Sequence, residues 1–308
     1  MVYQNILDAV GHTPLIKLNK LVDEDSADVI VKFEGVNIGG SIKTRTALNM
    51  IENAEKEGLL DKNSILVEPT SGNQGIGIAL VGAVKGYRTI IVMPDSVSEE
   101  RRKLVKHLGA EIRLIHDDGD IGKCIEECLQ TALTMQKENE HVFVPHQFKN
   151  INNTNAHRNH TAQEILDDID CNIDGFTSGI GTGGTITGVG EVLKEKFPDI
   201  EIWAVEPENA AILSGKEIGT HIQMGIGDGL IPDILNTNIY DDICIVSDAE
   251  AIETAKLLAK EEGIVCGISS GSNVCAALKL AKKLGKGKTV FTILPDTGER
   301  YFSTELFE

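Results

Sequence analysis

Four short segments of the 308-residue chain collect the residue types that do chemistry. The first, Asn37-Ile38-Gly39-Gly40-Ser41-Ile42-Lys43-Thr44-Arg45, follows an apolar run at 28–34 and opens a helical pattern. In parallel α/β folds, ligands sit where the carboxyl end of a strand feeds a helix N-terminus, and paired glycines let the backbone approach them. Partial burial and the positive end of the helix dipole disfavour an ammonium there, which makes the neutral amine of Lys43 available to form a Schiff base. Alone, such a lysine reads as an ordinary solvated side chain. Its company changes that. The second segment, Glu68-Pro69-Thr70-Ser71-Gly72-Asn73-Gln74-Gly75, gathers hydroxyls, amides and backbone N–H groups at another helix start, a combination suited to trapping a carboxylate. The third, Gly179-Ile180-Gly181-Thr182-Gly183-Gly184-Thr185, can wrap a phosphate in backbone N–H groups. Its spacing matches neither the Walker loop nor the dinucleotide fingerprint, which favours a cofactor smaller than NAD or ATP. The fourth, Gly267-Ile268-Ser269-Ser270-Gly271-Ser272, either caps a helix or sets a neutral hydroxyl against a ring nitrogen.

These segments need strands to hold them. Short β-rich runs at 28–34, 64–69, 88–94, 110–116 and 141–145 alternate with helix-length amphipathic runs, and 174–180, 200–207, 242–248 and 288–296 repeat the pattern. Strand followed by helix, repeated, predicts an α/β fold with parallel-rich sheets flanked by helices, here as two sheets. Ser247 to Glu250 reads as a capping box, with Gly263 as the stop of the helix it opens. The formal net charge of -18 excludes a polyanion such as nucleic acid as partner. No segment reaches the roughly 18 apolar residues of a membrane span, and no secretory leader is visible, so a cytoplasmic enzyme is expected. The six cysteines are scattered, which suits reduced thiols; Cys124 and Cys128 lie four apart on a helical run without further ligands, so no metal is expected. Cys266 and Cys275 flank the serine loop and read as buried small hydrophobes. Trp203 reads as core, and His221 as structural.

Together, and in this order, the four segments resemble those of the cysteine synthase and cystathionine β-synthase family, the fold type II, tryptophan synthase β-like enzymes that use pyridoxal 5′-phosphate. The resemblance covers nearly the whole chain, including GHTPL (11 to 15), VEPENAAILSG (205 to 215), GIG (225 to 227) and LPDTGERY (294 to 301). It implies that Lys43 holds the cofactor as a Schiff base and later moves protons. It implies Asn73 at the ring 3′-oxygen, Gly181, Thr182, Gly183, Gly184 and Thr185 at the phosphate, and Ser269 at the pyridine nitrogen. Thr70, Ser71, Asn73, Gln74 and Gln147 would hold the substrate α-carboxylate. Two lobes are implied, residues 1–38 and 150–308 as the larger, cofactor-binding one and 39–149 as a smaller mobile one, with no regulatory module. So are a small amino-acid substrate, a homodimer and, for a true synthase, binding of a serine acetyltransferase-type tail.

Four positions depart from the usual synthase pattern: Ile38 for Pro, Thr44 for Asp, Gln74 for Thr, and Asp228 where a small residue is usual. Sulfide is substantially ionised near neutral pH and attacks an aminoacrylate unaided, whereas water needs a base. Asp228 is therefore expected to activate water, so that L-cysteine and water give L-serine and hydrogen sulfide; hydrogen sulfide-producing cysteine lyases resembling this family are the precedent. The competing readings are an ordinary cysteine synthase, making L-cysteine and acetate from O-acetyl-L-serine and sulfide, and an inactive relative that binds a partner protein. Retention of Lys43 speaks against the last.

Overall fold

The computed structural model describes residues 2–119 and 121–308. In chain order the strands are β1 (Leu15–Lys17), β2 (Asp28–Phe33), β3 (Ile65–Pro69), β4 (Arg88–Pro94), β5 (Glu111–Ile115), β6 (Val142–Phe143), β7 (Gly175–Gly179), β8 (Glu201–Pro207), β9 (Asp242–Val246) and β10 (Thr289–Leu294). The helices are α1 (Lys43–Lys56), α2 (Asn73–Lys85), α3 (Glu99–His107), α4 (Ile121–Glu138), α5 (Ile151–Ala156), α6 (Ala162–Asp168), α7 (Gly184–Lys196), α8 (Asp248–Glu262) and α9 (Ile268–Leu284). They fall into two compact units. One comprises the chain up to Gly11 together with Lys43–Asn153; the other comprises His12–Ile42 and Thr154–Glu308.

The first unit is built on a four-stranded sheet in the order β5-β4-β3-β6, all pairs parallel. The alternation of strand side chains decides which helix covers which face. Val67 of β3 and Val92 of β4 point into a core with Cys124 and Cys128 of α4. Leu66, Glu68 and Ile91 point the other way, beneath α2: a Cβ on Gly75 would stand 2.9 Å from Ile91, and one on Gly82 would stand 3.5 Å from Leu66. Burial pushes the Cys128 thiol up to about 12, which leaves it protonated and inert. Among the described residues no cluster of His, Cys, Asp and Glu suits a metal ion, and no helix is long and apolar enough to cross a membrane.

The second unit carries a six-stranded sheet in the order β1-β2-β10-β7-β8-β9. Only the edge strand β1 runs antiparallel to its neighbour; all other pairs are parallel. β10 is buried along its whole length, as a strand covered on both faces must be. On one face Phe176, Ile186, Val189, Leu193 and Phe291 form a core; on the other Val29, Val31, Val274, Leu280 and Val290 form a second. Trp203 is only half buried: its indole N–H donates to Glu201, and the Lys283 ammonium sits 5.3 Å above its ring.

Candidate active site

Each functional segment lies at the carboxyl edge of its own sheet. In the first unit, β3 ends at Pro69 and hands over to α2 through Thr70-Ser71-Gly72. The Thr70 hydroxyl accepts from the Gly72 N–H at 3.1 Å, which tightens the turn. Gly72 is the N-cap of α2, no side chain caps that helix, and no acid lies in its first turn. The first-turn N–H groups therefore face outward with the positive end of the dipole. Beside Asn73, Gln74 is fully buried; its Oε1 accepts from the Thr46 hydroxyl at 2.8 Å, while its Nε2 has no hydrogen-bond partner among the described residues. An orphaned buried donor at this place fits an arriving carboxylate oxygen. Because β6 lies beside β3 in parallel register, the Pro145–Gln147 turn leaves the sheet at the same edge. There His146 adopts φ 57°, the Asn153 amide donates to the Gln147 carbonyl at 2.8 Å, and the Gln147 side chain is buried.

Lys43 is the first residue of α1, and that helix too has no acid in its first turn. The Thr46 hydroxyl also stands 2.9 Å from the Lys43 carbonyl, so its single proton is shared between that oxygen and Gln74 Oε1. Gly77 on α2 lets the two helices close up, since a Cβ there would stand 2.8 Å from the Lys43 carbonyl oxygen and 3.1 Å from Ala47. The segment preceding the lysine belongs to the second unit and is pinned there. Thr13 of the GHTPL run donates to Glu34 at 2.7 Å, and Asn37 donates to the other oxygen of the same carboxylate at 2.8 Å. Gly39 and Gly40 both take positive φ, Arg300 donates to the Gly39 carbonyl, and the Ile42 N–H donates to the Pro295 carbonyl at 2.8 Å. The GHTPL and LPDTGERY segments thus anchor the approach to Lys43.

In the second unit β7 runs into the glycine turn 181–184 and then α7. Gly183 is the N-cap of α7 at φ 75°, again with no side-chain cap and no acid in the first turn. A Cβ on Gly181 would collide with the Gly225 carbonyl, and one on Gly183 would stand 2.8 Å from Leu235. Only glycine fits both places. The Gly184 N–H reaches the Thr182 hydroxyl at 3.4 Å, and the Thr185 hydroxyl meets His157 Nε2 at 3.3 Å. Asp228 belongs to this turn as well: its Oδ2 lies 3.4 Å from where a Gly181 Cβ would stand, and the residue is half buried. Ser269, 4% exposed, lies in the first turn of α9 behind the N-cap Gly267.

Two amides that the sequence did not single out tie these pieces together. Asn273 accepts from the Gly179 N–H at 2.7 Å and donates to the Ile293 carbonyl at 2.7 Å, fixing α9 to the ends of β7 and β10. Gln223 is fully buried; it accepts from the Ser272 hydroxyl at 2.7 Å and donates to the Val246 carbonyl and to Asp248, each at 2.9 Å. The Gln223 N–H donates to His221 Nδ1 at 3.2 Å, so Nε2 carries the proton and donates to the Gly227 carbonyl at 3.1 Å. His221 is therefore structural, as expected, and it steadies the turn that bears Asp228. An amide directly after a serine-rich helix start was the available signal for Asn273; nothing local marks Gln223.

The family described as "Pyridoxal-phosphate dependent enzyme" matches residues 6–296. Cysteine synthase of Staphylococcus aureus is 48% identical over 304 residues, covering 98% of this chain and 96% of the relative. A hydrogen sulfide-producing enzyme of Fusobacterium nucleatum superposes with a TM-score of 0.92 at 42% identity, covering 98% of each chain. An Asp-to-Asn variant of a hydrogen sulfide-producing enzyme, solved with an α-aminoacrylate intermediate, gives 0.89 at 38% identity, covering 98% of this chain and 90% of that one. The chain belongs to the family of pyridoxal-phosphate dependent enzymes. Within it, this is an enzyme of cysteine synthase-like type, with pyridoxal phosphate as its cofactor. The residues present fit that group: the glycine turn 181–184 opens α7 with no side-chain cap and no acid in the first turn, which leaves its N–H groups to an anion such as a phosphate.

Proposed function

We propose that the chain exchanges the thiol of L-cysteine for hydroxyl, converting L-cysteine and water to L-serine and hydrogen sulfide. In this reading Thr70, Ser71, Asn73, Gln74 and Gln147 bind the substrate carboxylate, the orphaned Gln74 Nε2 among the donors. Asn73 and Ser269 orient the cofactor ring at its 3′-oxygen and its nitrogen, and Gly181 to Thr185 hold its phosphate. When bound, pyridoxal phosphate supplies the electron sink that makes the α-proton of an amino acid acidic. Lys43 takes that proton and later returns it. Ser269 would meet the ring nitrogen with a neutral hydroxyl in place of an acid, and so would not supply a proton there. Asp228 accepts a proton from the water that adds at the β-carbon.

The observation that carries this reading is the carboxylate of Asp228 standing against Gly181 of the phosphate turn, at a position where a small residue would serve a synthase. Sulfide needs no base at that place and water does. Incubating the purified enzyme with L-cysteine alone is the test. Serine and sulfide should appear in equal amounts; neither appearing ends the proposal. Asp228→Asn should slow serine formation roughly 100-fold or more while sparing cofactor binding, and unchanged turnover would remove Asp228 from the role. The 48% identity to a cysteine synthase favours a second reading, formation of L-cysteine from O-acetyl-L-serine and sulfide. Steady-state rates with the two donors, measured side by side, decide between them.

A further inference from the structure

Glu68 is an acid in the wrong surroundings. It sits in β3, one residue before the strand ends, and is fully buried. Neither of its carboxylate oxygens has a hydrogen-bond partner among the described residues. A carboxylate placed so would have lost its hydration with nothing in return, a cost that proteins avoid by keeping the group protonated or by pairing it. Its face of the sheet lies under α2, next to Ile91 of β4, which is apolar. Burial raises its pKa to about 8, and the one charge that acts on it, in the opposite direction, is Lys43 at the start of α1. Of the other charged groups on the surrounding helices, Lys85 of α2 pairs with Glu52 and Glu55 of α1, Arg101 of α3 donates to Ser98, and Arg102 of α3 keeps a buried Nε with no hydrogen-bond partner among the described residues. Arg45 has a partner of its own.

Resting on the acid–base role proposed for Lys43, we propose that Glu68 is a positioning residue that governs the protonation state of that lysine, the pair holding one exchangeable proton. In one state Lys43 is an ammonium and Glu68 a carboxylate; in the other Lys43 is a neutral amine and Glu68 an acid. The two groups are coupled by charge and not by a hydrogen bond, so a proton released by one and bound by the other passes through water, and charge and atoms are conserved. When Lys43 must act as a base, a neutral Glu68 withdraws the anion that would otherwise stabilise the ammonium. When the proton that Lys43 carries is the one Glu68 has released, the ionised Glu68 offers the counter-charge; when Lys43 takes a proton from substrate, Glu68 keeps its own and stays neutral.

An infrared pH titration of the full-length chain tests this without reference to turnover. A carbonyl stretch of a buried neutral carboxyl should be present at pH 6, fade as pH rises through about 8, and be absent in Glu68→Gln. In parallel, the pH profile of sulfide release from L-cysteine should have a limb that moves by about 1 to 3 pH units in Glu68→Gln, and Glu68→Asp, which keeps an acid there, should restore much of it. If Glu68→Gln fails to fold, the displaced carboxyl band of Glu68→Asp supplies the assignment. A chain without that band at pH 6, or a Gln variant with an unmoved limb, overturns the proposal. Absence of sulfide with the band in place would sink the proposed reaction instead and leave the titration of Glu68 standing.

Discussion

At the start of α8 the Ser247 hydroxyl accepts from the Glu250 N–H at 3.3 Å, the Glu250 carboxylate accepts from the Ser247 N–H at 2.8 Å, and Asp248 adds a second acid to the first turn. At the start of α2, Gly72 stands as N-cap with no side chain on the orphan N–H groups and no acid in the first turn. α7 and α9 begin in the second manner, behind Gly183 and Gly267. α1 goes further and puts a cation, Lys43, at its positive end. A helix start that neither a side-chain cap nor a first-turn acid answers keeps its N–H groups and the positive end of its dipole available to an anion.

That contrast can be broken by substitution. Lys43→Ala should have the largest effect, lowering turnover by about 10³-fold or more with the thermal transition nearly unchanged, measured by sulfide release and by calorimetry. Loss of activity only in proportion to loss of fold would contradict it. Next comes a stability effect at Glu68. Its ordinary pKa is 4.5 and its folded value about 8, so the folded chain binds a proton that the unfolded chain has released across that window. The contribution is fully present below about pH 4.5 and is lost as pH rises through about 8; at pH 7 the loss is on the order of 3 kcal/mol. Denaturant midpoints of the unmodified chain should therefore fall between pH 5 and 8 more steeply than those of Glu68→Gln.

The sharpest test of the comparison converts one kind of helix start into the other. Nothing stands within 4 Å of a Cβ placed on Gly72, so an aspartate fits. Gly72→Asp should cap α2 and leave stability equal or higher by a few tenths of a kcal/mol, while the added anion repels a substrate carboxylate and lowers kcat/KM by about 100-fold. A variant that keeps its affinity would show that this terminus does not meet an anion. The smallest effect belongs to α8: Ser247→Ala should cost about 1 kcal/mol of stability and leave kinetics unaltered. The Glu250 carboxyl is held down to about 2, against desolvation, chiefly by Lys279 and the Ser247 backbone. This stabilisation is present above the ordinary 4.5 and disappears as pH falls towards 2.

Much of this was legible beforehand because parallel strands buried on both faces are written as unbroken Val, Ile and Leu runs. The run at 88–94 forms β4 over those same residues, and the others lose one or two residues at their ends. The capping box at Ser247 and the stop at Gly263 are local in origin and appear as read. The run at 141–145 shrinks to Val142–Phe143, since Pro145 offers no N–H to a ladder and the chain turns at His146. β1 was not seen: three residues at an edge carry too little pattern. Trp203 was expected inside and is half exposed, because β8 lies near an edge where a lysine stem can roof the indole. Glu68 was read as the end of the β-rich run 64–69 and the first residue of the polar segment after it, with no role of its own. Its burial is set by α2 lying across the sheet, a tertiary fact with no signature in neighbouring residues.

One absent methyl group has a reach that outlasts the geometry around it. With no Cβ on Gly77, the carbonyl of Lys43 rests directly against the backbone of the neighbouring helix, so the distance from the lysine backbone to the asparagine loop one turn away is set by a contact with no side chain in it. A ruler of that kind is indifferent to side-chain motion. An alanine there would lengthen it by a fixed step, in a reaction where a displacement of about 1 Å is worth roughly 100-fold in rate.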